Sequence, residues 1–302
     1  MPSIVGALSL SSAPQCLTSL DPGLVWSAAL LGALVYSLRS ARRSGLDPRA
    51  AYWAGVLGLF FGVWGGHLLG IYYYGTDGRP FAWFRFWSGG QAQYGGLIAG
   101  ALAVIVYLKI KKLSILRYGD AMAPAVALGV AIGRIGCFLN GDDFGKLSRL
   151  PWAMRFGPGT EAYADHLQRG WISASDAWSL PVHPVQLYCS LFWLGLFALL
   201  ACLPMKRTGV GFSLLLIAHG AGRFAEQLFR GDFQTFLGPL SLTQLISIVL
   251  VAVGAALLLY RRRESSTEGF MAPATSGATS DSELDLEGRE VGGRLFSEPI
   301  LR

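Results

Sequence analysis

Charge is what this chain has least of. Of its 302 residues, 15% are Asp, Glu, Lys or Arg and 52% are hydrophobic, and the mean hydropathy is +0.43. A soluble domain carries nearer a quarter charged residues, so a water-soluble globular fold is excluded. Cysteine is scarce too: Cys16, Cys137, Cys189 and Cys202 form no CxxC and share no metal-ligand spacing with a histidine. Neither a structural zinc site nor a dithiol redox motif is expected. Cys137 and Cys189 fall near the same end of neighbouring apolar runs, where they either pack as small side chains or pair as a disulfide. The first apolar run has no basic leader and no small-residue cleavage site, so a cleaved signal peptide is not expected. The net charge of +6 sits in short connections between apolar runs. That is a topology signal, and it argues against a nucleic-acid partner. Glycine, by contrast, is plentiful at 39 residues, as suits helices that approach closely in lipid.

Apolar runs extend over about Gly23–Leu38, Ala51–Tyr74, Tyr94–Ile110, Ala121–Leu139, Val185–Leu203, Gly209–Phe229 and Leu242–Tyr260. About 20 apolar residues span a bilayer, so these predict an all-α polytopic membrane protein of about seven transmembrane helices. Basic clusters follow alternate runs: Arg39, Arg42, Arg43 and Arg49 after the first, Lys109, Lys111, Lys112 and Arg117 after the third. Lys206 and Arg207 follow the fifth run, and Arg261, Arg262 and Arg263 the seventh. With seven helices all four clusters share one face, which is then cytoplasmic, with the N-terminus outside and the C-terminus inside. The expected organisation is a transmembrane domain over residues 1–263 with an outer loop over 140–182. Residues 264–302, rich in Ser, Thr, Gly and Glu, are expected to form a disordered cytoplasmic tail. A loop as long as 140–182 is usually functional.

Ionisable groups inside spanning helices are costly, and each points to function. The fourth run ends in Gly133-Arg134-Ile135-Gly136-Cys137-Phe138-Leu139-Asn140-Gly141-Asp142-Asp143-Phe144-Gly145. Its glycines let a ligand approach the backbone, and Arg134 offers a forked donor suited to phosphate or carboxylate. Asn140 and Asp142 add polar groups where the helix stops. Alternatively, Arg134 snorkels to outer headgroups above a glycine-rich turn. On the sixth run, His219, Arg223, Glu226 and Arg230 are spaced four, three and four apart and so form one stripe, bordered by Gln227. The stripe either cradles an anionic headgroup or is an ion-paired helix end. His183-Pro184-Val185-Gln186-Leu187-Tyr188 opens the fifth run at the same face, with proline at the first helical position. Two guanidinium groups in low dielectric suggest phosphate recognition, and a phospholipid is the local phosphate.

These residues, in this order, resemble the bacterial prolipoprotein diacylglyceryl transferases. The resemblance rests on the Gly133–Gly145 signature, on Pro151-Trp152, on His183–Tyr188, and on Gly89-Gly90 with Tyr94-Gly95-Gly96-Leu97-Ile98. It continues through Arg223-Phe224 with Arg230-Gly231-Asp232, and Gln244-Leu245-Ile246-Ser247. Several ordered motifs are far more specific than one. The resemblance implies transfer of the diacylglyceryl group of phosphatidylglycerol to the lipobox cysteine of a pre-prolipoprotein, without a cofactor or metal, in the bacterial cytoplasmic membrane. It implies that Arg134 and Arg223 hold the phosphate and stabilise the charge on the leaving group. Asn140, Asp142 and Gly145 would shape the lipid site, His183 and Gln186 brace it, and Glu226 and Arg230 complete it. The thiol must lose a proton to attack.

Departures from the family pattern bear on that proton. Tyr94 stands where many members have histidine, and His219 where they tend to have tyrosine, so the two look exchanged. An imidazole titrates near neutrality and a phenol near about 10, which favours His219 as the acceptor; hydrogen bonding across helices is the other reading of His219. His67 lies in an apolar helix and His166 among polar residues of the outer loop. Cys137 replaces a common asparagine, Asp142 stands for glutamate, Cys189 follows Tyr188 where glutamate is usual, and the expected glutamate at 227 is Gln227, with Glu226 beside it. The first run reads Trp26-Ser27 in place of Tyr-Gly. A relative that kept the arginines and lost the base would bind phospholipid without catalysis. A transporter would place charges at the midplane and show two related halves; no such repeat is visible.

Overall fold

A chain crossing lipid must satisfy its backbone hydrogen bonds within each segment, and here every apolar run does so as a helix. The computed structural model describes residues 20–74, 92–203, 207–231 and 238–270. Its helices are α1 (Pro22–Arg43), α2 (Pro48–Tyr74), α3 (Gln93–Ile110), α4 (Ile115–Asn140), α5 (Glu161–Gln168), α6 (Val185–Cys202), α7 (Val210–Phe229) and α8 (Leu242–Phe270). Among the described residues there is no strand, only isolated bridges at Gly145–Arg230, Leu147–Val182 and Met154–Val182. Gly89-Gly90, Cys16, Lys206 and Asp232 lie outside the described residues.

Among the described residues, six helices are long and apolar enough to cross a membrane: α1, α2, α3, α4, α6 and α8. The protein is an all-α polytopic membrane protein. α7 has comparable length, but the charged stripe lowers its hydropathy. Arg223, Glu226 and Gln227 are turned into the bundle while Leu228 and Phe229 are exposed, the orientation lipid demands.

Local chemistry sets the helix ends. Asp21 accepts the Gly23 amide at 2.8 Å and Pro22 takes the first position of α1. Ser114 caps α4, and Gly141 closes it in the left-handed region at φ 72°, returning its amide to the Cys137 carbonyl, a conformation glycine adopts without penalty. Gly209, which precedes α7, has no side chain to cap with. Asp120 of α4 does it instead, accepting the amides of Gly209 at 2.5 Å and Phe212 at 2.8 Å.

α1 and α6 both pack on α4, α2 packs on α3, and α7 on α8. The α2–α3 seam depends on glycine: a Cβ on Gly100 would lie 2.7 Å from the Gly58 carbonyl oxygen, and one on Gly96 2.8 Å from that of Gly62. Backbones this close gain packing that larger residues would block. Helix direction sorts the bundle into two ends. At one, Ala41, Ala50, Ala51, Leu108 and Tyr118 form an apolar cluster from the end of α1, the start of α2, the end of α3 and the start of α4. Arg42, Arg43 and Lys109 occupy the last turns there. The end of α4 and the starts of α3, α6 and α8 gather at the opposite end, with the end of α7.

Candidate functional site

At that opposite end the charged residues form one connected chain. Arg134, on the last turns of α4, places Nη1 2.7 Å from Asp143 Oδ2 and 3.2 Å from Glu226 Oε1. Arg223, one turn before Glu226 on α7, places Nη1 2.5 Å from the same Glu226 oxygen. Arg230, at the end of α7, pairs with the other oxygen of Asp143. The order is Arg223–Glu226–Arg134–Asp143–Arg230. The side chains of Arg134, Arg223 and Glu226 are all less than a tenth exposed. Arg134 and Arg223, spaced far apart in sequence, converge on one carboxylate. The Nε of Arg223 is buried with no hydrogen-bond partner among the described residues, an unmet donor that an anion would satisfy.

Asp143 follows directly from the turn that ends α4. It is one of two non-glycine residues with positive φ among the described residues, at 54°. Its amide donates to Glu161 Oε2 at 3.3 Å, in the first turn of α5, so the loop between α4 and α6 braces it. Burial alone would raise the Asp143 carboxyl, but the guanidiniums of Arg230, Arg134 and Arg223 outweigh burial and hold it well below the usual carboxylate range. The loop is stitched to α7 by backbone: the Lys146 amide donates to Phe229 and the Gly231 amide to Phe144.

The remaining expected residues fall around this chain. Asn140 donates to Asp142 at 2.8 Å; burial pushes the Asp142 carboxyl up, a rise the Asn140 contact opposes. Gln186 is fully buried and donates to the Asp142 carbonyl at 2.6 Å, tying α6 to the loop. Gly145 passes so close to His183 that a Cβ would meet its carbonyl oxygen at 2.5 Å. His183 itself faces Tyr188, with Nδ1 3.4 Å from the hydroxyl, and packs on Phe229. Tyr94 reaches α8, with its hydroxyl 3.1 Å from the Thr243 carbonyl and 3.2 Å from Ser247 Oγ; Arg223 and Glu226 act on it electrostatically. His219 stacks on Trp193 with ring centroids 5.4 Å apart, and its Nε2 is buried without a hydrogen-bond partner among the described residues.

Two features were not anticipated. Asp143 was passed over in favour of Asp142, yet it is Asp143 that binds two arginines. The loop between α4 and α6 also contains a helix, α5, announced by Thr160 as its cap and Glu161 in its first turn. Cys137, Cys189 and Cys202 are free. Cys137, Asp142 and Asp143 bring ligand atoms within 4.8 Å of one another, but both Asp143 oxygens are taken by guanidiniums, so the group belongs to the ion-paired chain. Beside that chain, between α6 and α7, lies a cleft of about 280 Å³, largely apolar, with Tyr188, Phe192, Trp193 and Phe229 on its walls and Cys189 and Glu226 within.

Fold and site together define a polytopic membrane protein with a buried, arginine-rich ion-paired cluster at one end of the bundle, next to an apolar cleft. The family model described as prolipoprotein diacylglyceryl transferase matches residues 22–260, and the chain belongs to that family. It is similar to the phosphatidylglycerol–prolipoprotein diacylglyceryl transferase of Corynebacterium diphtheriae, 30% identical over 274 residues, covering 85% of this chain and 96% of that protein. The enzymes of the same name from Salmonella arizonae and Cronobacter sakazakii are each 32% identical, covering 80% of this chain and 89% of theirs. The family is one of enzymes, and its members are transferases.

Proposed function

We propose that the chain transfers the diacylglyceryl group of phosphatidylglycerol to the lipobox cysteine of pre-prolipoproteins in a bacterial cytoplasmic membrane. The observation that carries this is the convergence of Arg134 and Arg223 on one anion beside an apolar cleft. A lipid phosphate meets the unpaired Nε of Arg223 while its acyl chains lie in or beside the cleft. The thiol sulfur attacks the glyceryl carbon that bears the phosphate. The carbon–oxygen bond to phosphorus breaks, and the departing oxygen gains charge that Arg134 and Arg223 stabilise. The thiol proton goes to His219, whose buried Nε2 is unengaged. Tyr94 is the poorer acceptor, since its hydroxyl is committed to Thr243 and Ser247, and it instead orients the Arg223 side of the site. Asn140, Asp142, Gly145, His183 and Gln186 hold the loop and the head of α6 in register. The basic end of the bundle faces the cytoplasm, so the site opens at the outer face with α7 as the seventh span.

The test is transfer from phosphatidylglycerol to a lipobox peptide by the purified chain, read by mass spectrometry. Arg134→Gln and Arg223→Gln should each abolish transfer in protein that still inserts and folds, with lysine rescuing poorly because it lacks the planar fork. Full activity in both glutamine variants would refute the phosphate clamp. A folded wild type that binds phosphatidylglycerol and transfers nothing would favour a lipid-binding role.

A further inference from the structure

Pro151-Trp152 has no part in the ion-paired chain. It lies in the loop between α4 and α6, at the tip of a short excursion whose two ends are pinned together. Leu147 and Met154 both bridge to Val182, three residues before α6, and the Met154 and Val182 amides each donate to the other's carbonyl at 2.9 Å. The Ala153 amide closes the turn on the Leu150 carbonyl at 3.0 Å, and Ser148 Oγ accepts the Leu150 amide at 3.2 Å. Ser148, Ala153 and Met154 are buried, whereas Arg149, Leu150, Pro151 and Trp152 are exposed. Leu147 and Trp152 are each 48% exposed and Leu150 40%. A turn pinned on both sides and tipped with leucine, proline and tryptophan presents apolar surface to a partner.

Position and charge identify the partner. Trp152 Nε1 donates to the Tyr188 hydroxyl at 2.8 Å, and Tyr188, in the first turn of α6, is a wall of the cleft. α6 has 18 residues, a rise of about 27 Å against a hydrocarbon thickness of about 30 Å, so its first turn lies at the lipid boundary. The exposed Leu191 and Phe192 of this spanning helix face lipid one turn further on, and the tip continues that surface. Tryptophan is enriched at such a boundary. Between Asp143 and Glu161 the chain has Lys146, Arg149 and Arg155 and no acid. Among the described residues, the exposed Arg149 and Arg155 form no ion pair. Basic residues are ordinarily kept to the cytoplasmic side, so two unpaired arginines at the opposite end call for an anion there.

We infer that the Arg149–Trp152 tip, with Arg155, is a contact for the anionic phospholipid surface. Leu150 and Trp152 enter the boundary of the outer leaflet, and Arg149 and Arg155 draw phosphodiester headgroups to the mouth of the cleft. The outer placement and the use of the gathered lipid rest on the transferase reading. The contact deepens it by assigning substrate collection to a segment separate from the Arg134–Arg223 clamp.

The experiment uses the full chain in nanodiscs. Trp152 is one of nine tryptophans, so its emission is taken as the difference between wild type and Trp152→Phe. Phosphatidylcholine brominated on the upper acyl chain should quench that difference. In discs of phosphatidylcholine with increasing phosphatidylglycerol, transfer to a lipobox peptide is then followed. Arg149→Gln and Arg155→Gln should each half-saturate at a phosphatidylglycerol fraction about fivefold higher at low salt, with kcat and the peptide KM unchanged. Lysine at either position should keep the wild-type value, since charge rather than the planar fork attracts a surface. The difference should narrow in about 1 M salt, where the Debye length is about 3 Å. Unquenched Trp152, or an unchanged half-saturation point in both glutamine variants, overturns the inference. So does a rise in the peptide KM alone, which would assign the tip to the peptide. Quenching of Trp152 in a wild type that transfers nothing overturns the transferase reading and leaves the lipid contact standing.

Discussion

Replacing Glu226 by glutamine tests the organisation of the site most directly. The carboxylate lies 3.2 Å from Arg134 Nη1 and 2.5 Å from Arg223 Nη1, with side-chain exposures of 3% for Glu226, 7% for Arg134 and 9% for Arg223. Glutamine keeps the length and one acceptor oxygen but removes the charge, leaving two buried guanidiniums with less compensation. Coulomb attraction at roughly 3 Å and an effective dielectric near 20 is about 5 kcal/mol per contact, before credit for no longer burying a carboxylate. Removing one partner from a buried pair typically costs about 3–5 kcal/mol. Arg134 retains Asp143, so a loss near the lower end, about 3 kcal/mol, is expected. Thermal unfolding in nanodiscs of uncharged lipid should show it. Added phosphatidylglycerol should then stabilise Glu226→Gln more than wild type, because its phosphate supplies the missing anion and ligand linkage amplifies the difference. Unchanged stability without lipid, or the same lipid-induced shift in both proteins, would refute the shared-anion arrangement.

Three further outcomes are expected. His166 is 1% exposed and accepts the Leu180 amide at Nδ1. Burial lowers its pKa, with Asp165 opposing and Arg169 reinforcing, so the neutral form is favoured in the fold. Its contribution is complete above the ordinary histidine value of about 6.5 and lost as pH falls below it; protection of the Leu180 amide against hydrogen exchange, taken relative to the intrinsic rate at each pH, should fall between about pH 7.5 and about pH 5.5, and His166→Asn should remove that dependence. Reporter fusions after Arg207 and after Asp232 should read cytoplasmic and external respectively; the reverse would sink the proposed orientation. In the transfer assay, His219→Ala should lose far more rate than Tyr94→Phe and shift the pH profile, whereas loss in Tyr94→Phe alone would return the proton to the phenol.

The bundle was legible because its physics is local. Each of the seven apolar runs must satisfy its own backbone and bury or expose a face, and each became a helix. The α7 stripe was legible for the same reason, since a spacing of four, three and four places Arg223 and Glu226 together whatever surrounds them. Asp143 was not. Its neighbour Asp142 is chemically identical in sequence, and only the left-handed turn at Gly141 and the positive φ of Asp143 decide which carboxylate faces Arg134 and Arg230. That decision depends on an anchor 18 residues away at Glu161, beyond the reach of periodicity. α5 escaped because eight polar-leaning residues give little pattern, although its cap was readable.

The substituted acids also make sense once the helices are placed side by side. The family resemblance puts a glutamate after Tyr188 and another at 227, and this chain has Cys189 and Gln227 instead. In the structure, the Cys189 thiol on α6 lies within hydrogen-bonding reach of the Glu226 carboxylate on α7, and both face the cleft. Glu226 of α7 therefore presents a carboxylate beside the α6 position where the family pattern has a glutamate, and the small Cys189 thiol leaves room for it. This accounts for the pairing of a small residue at 189 with an acid at 226. Cys189→Glu alone should crowd a second carboxylate against Glu226 and destabilise the protein. Cys189→Glu combined with Glu226→Gln should regain much of the roughly 3 kcal/mol expected to be lost in Glu226→Gln alone. A double variant no more stable than the sum of its single changes would show that the two positions do not share one anion site.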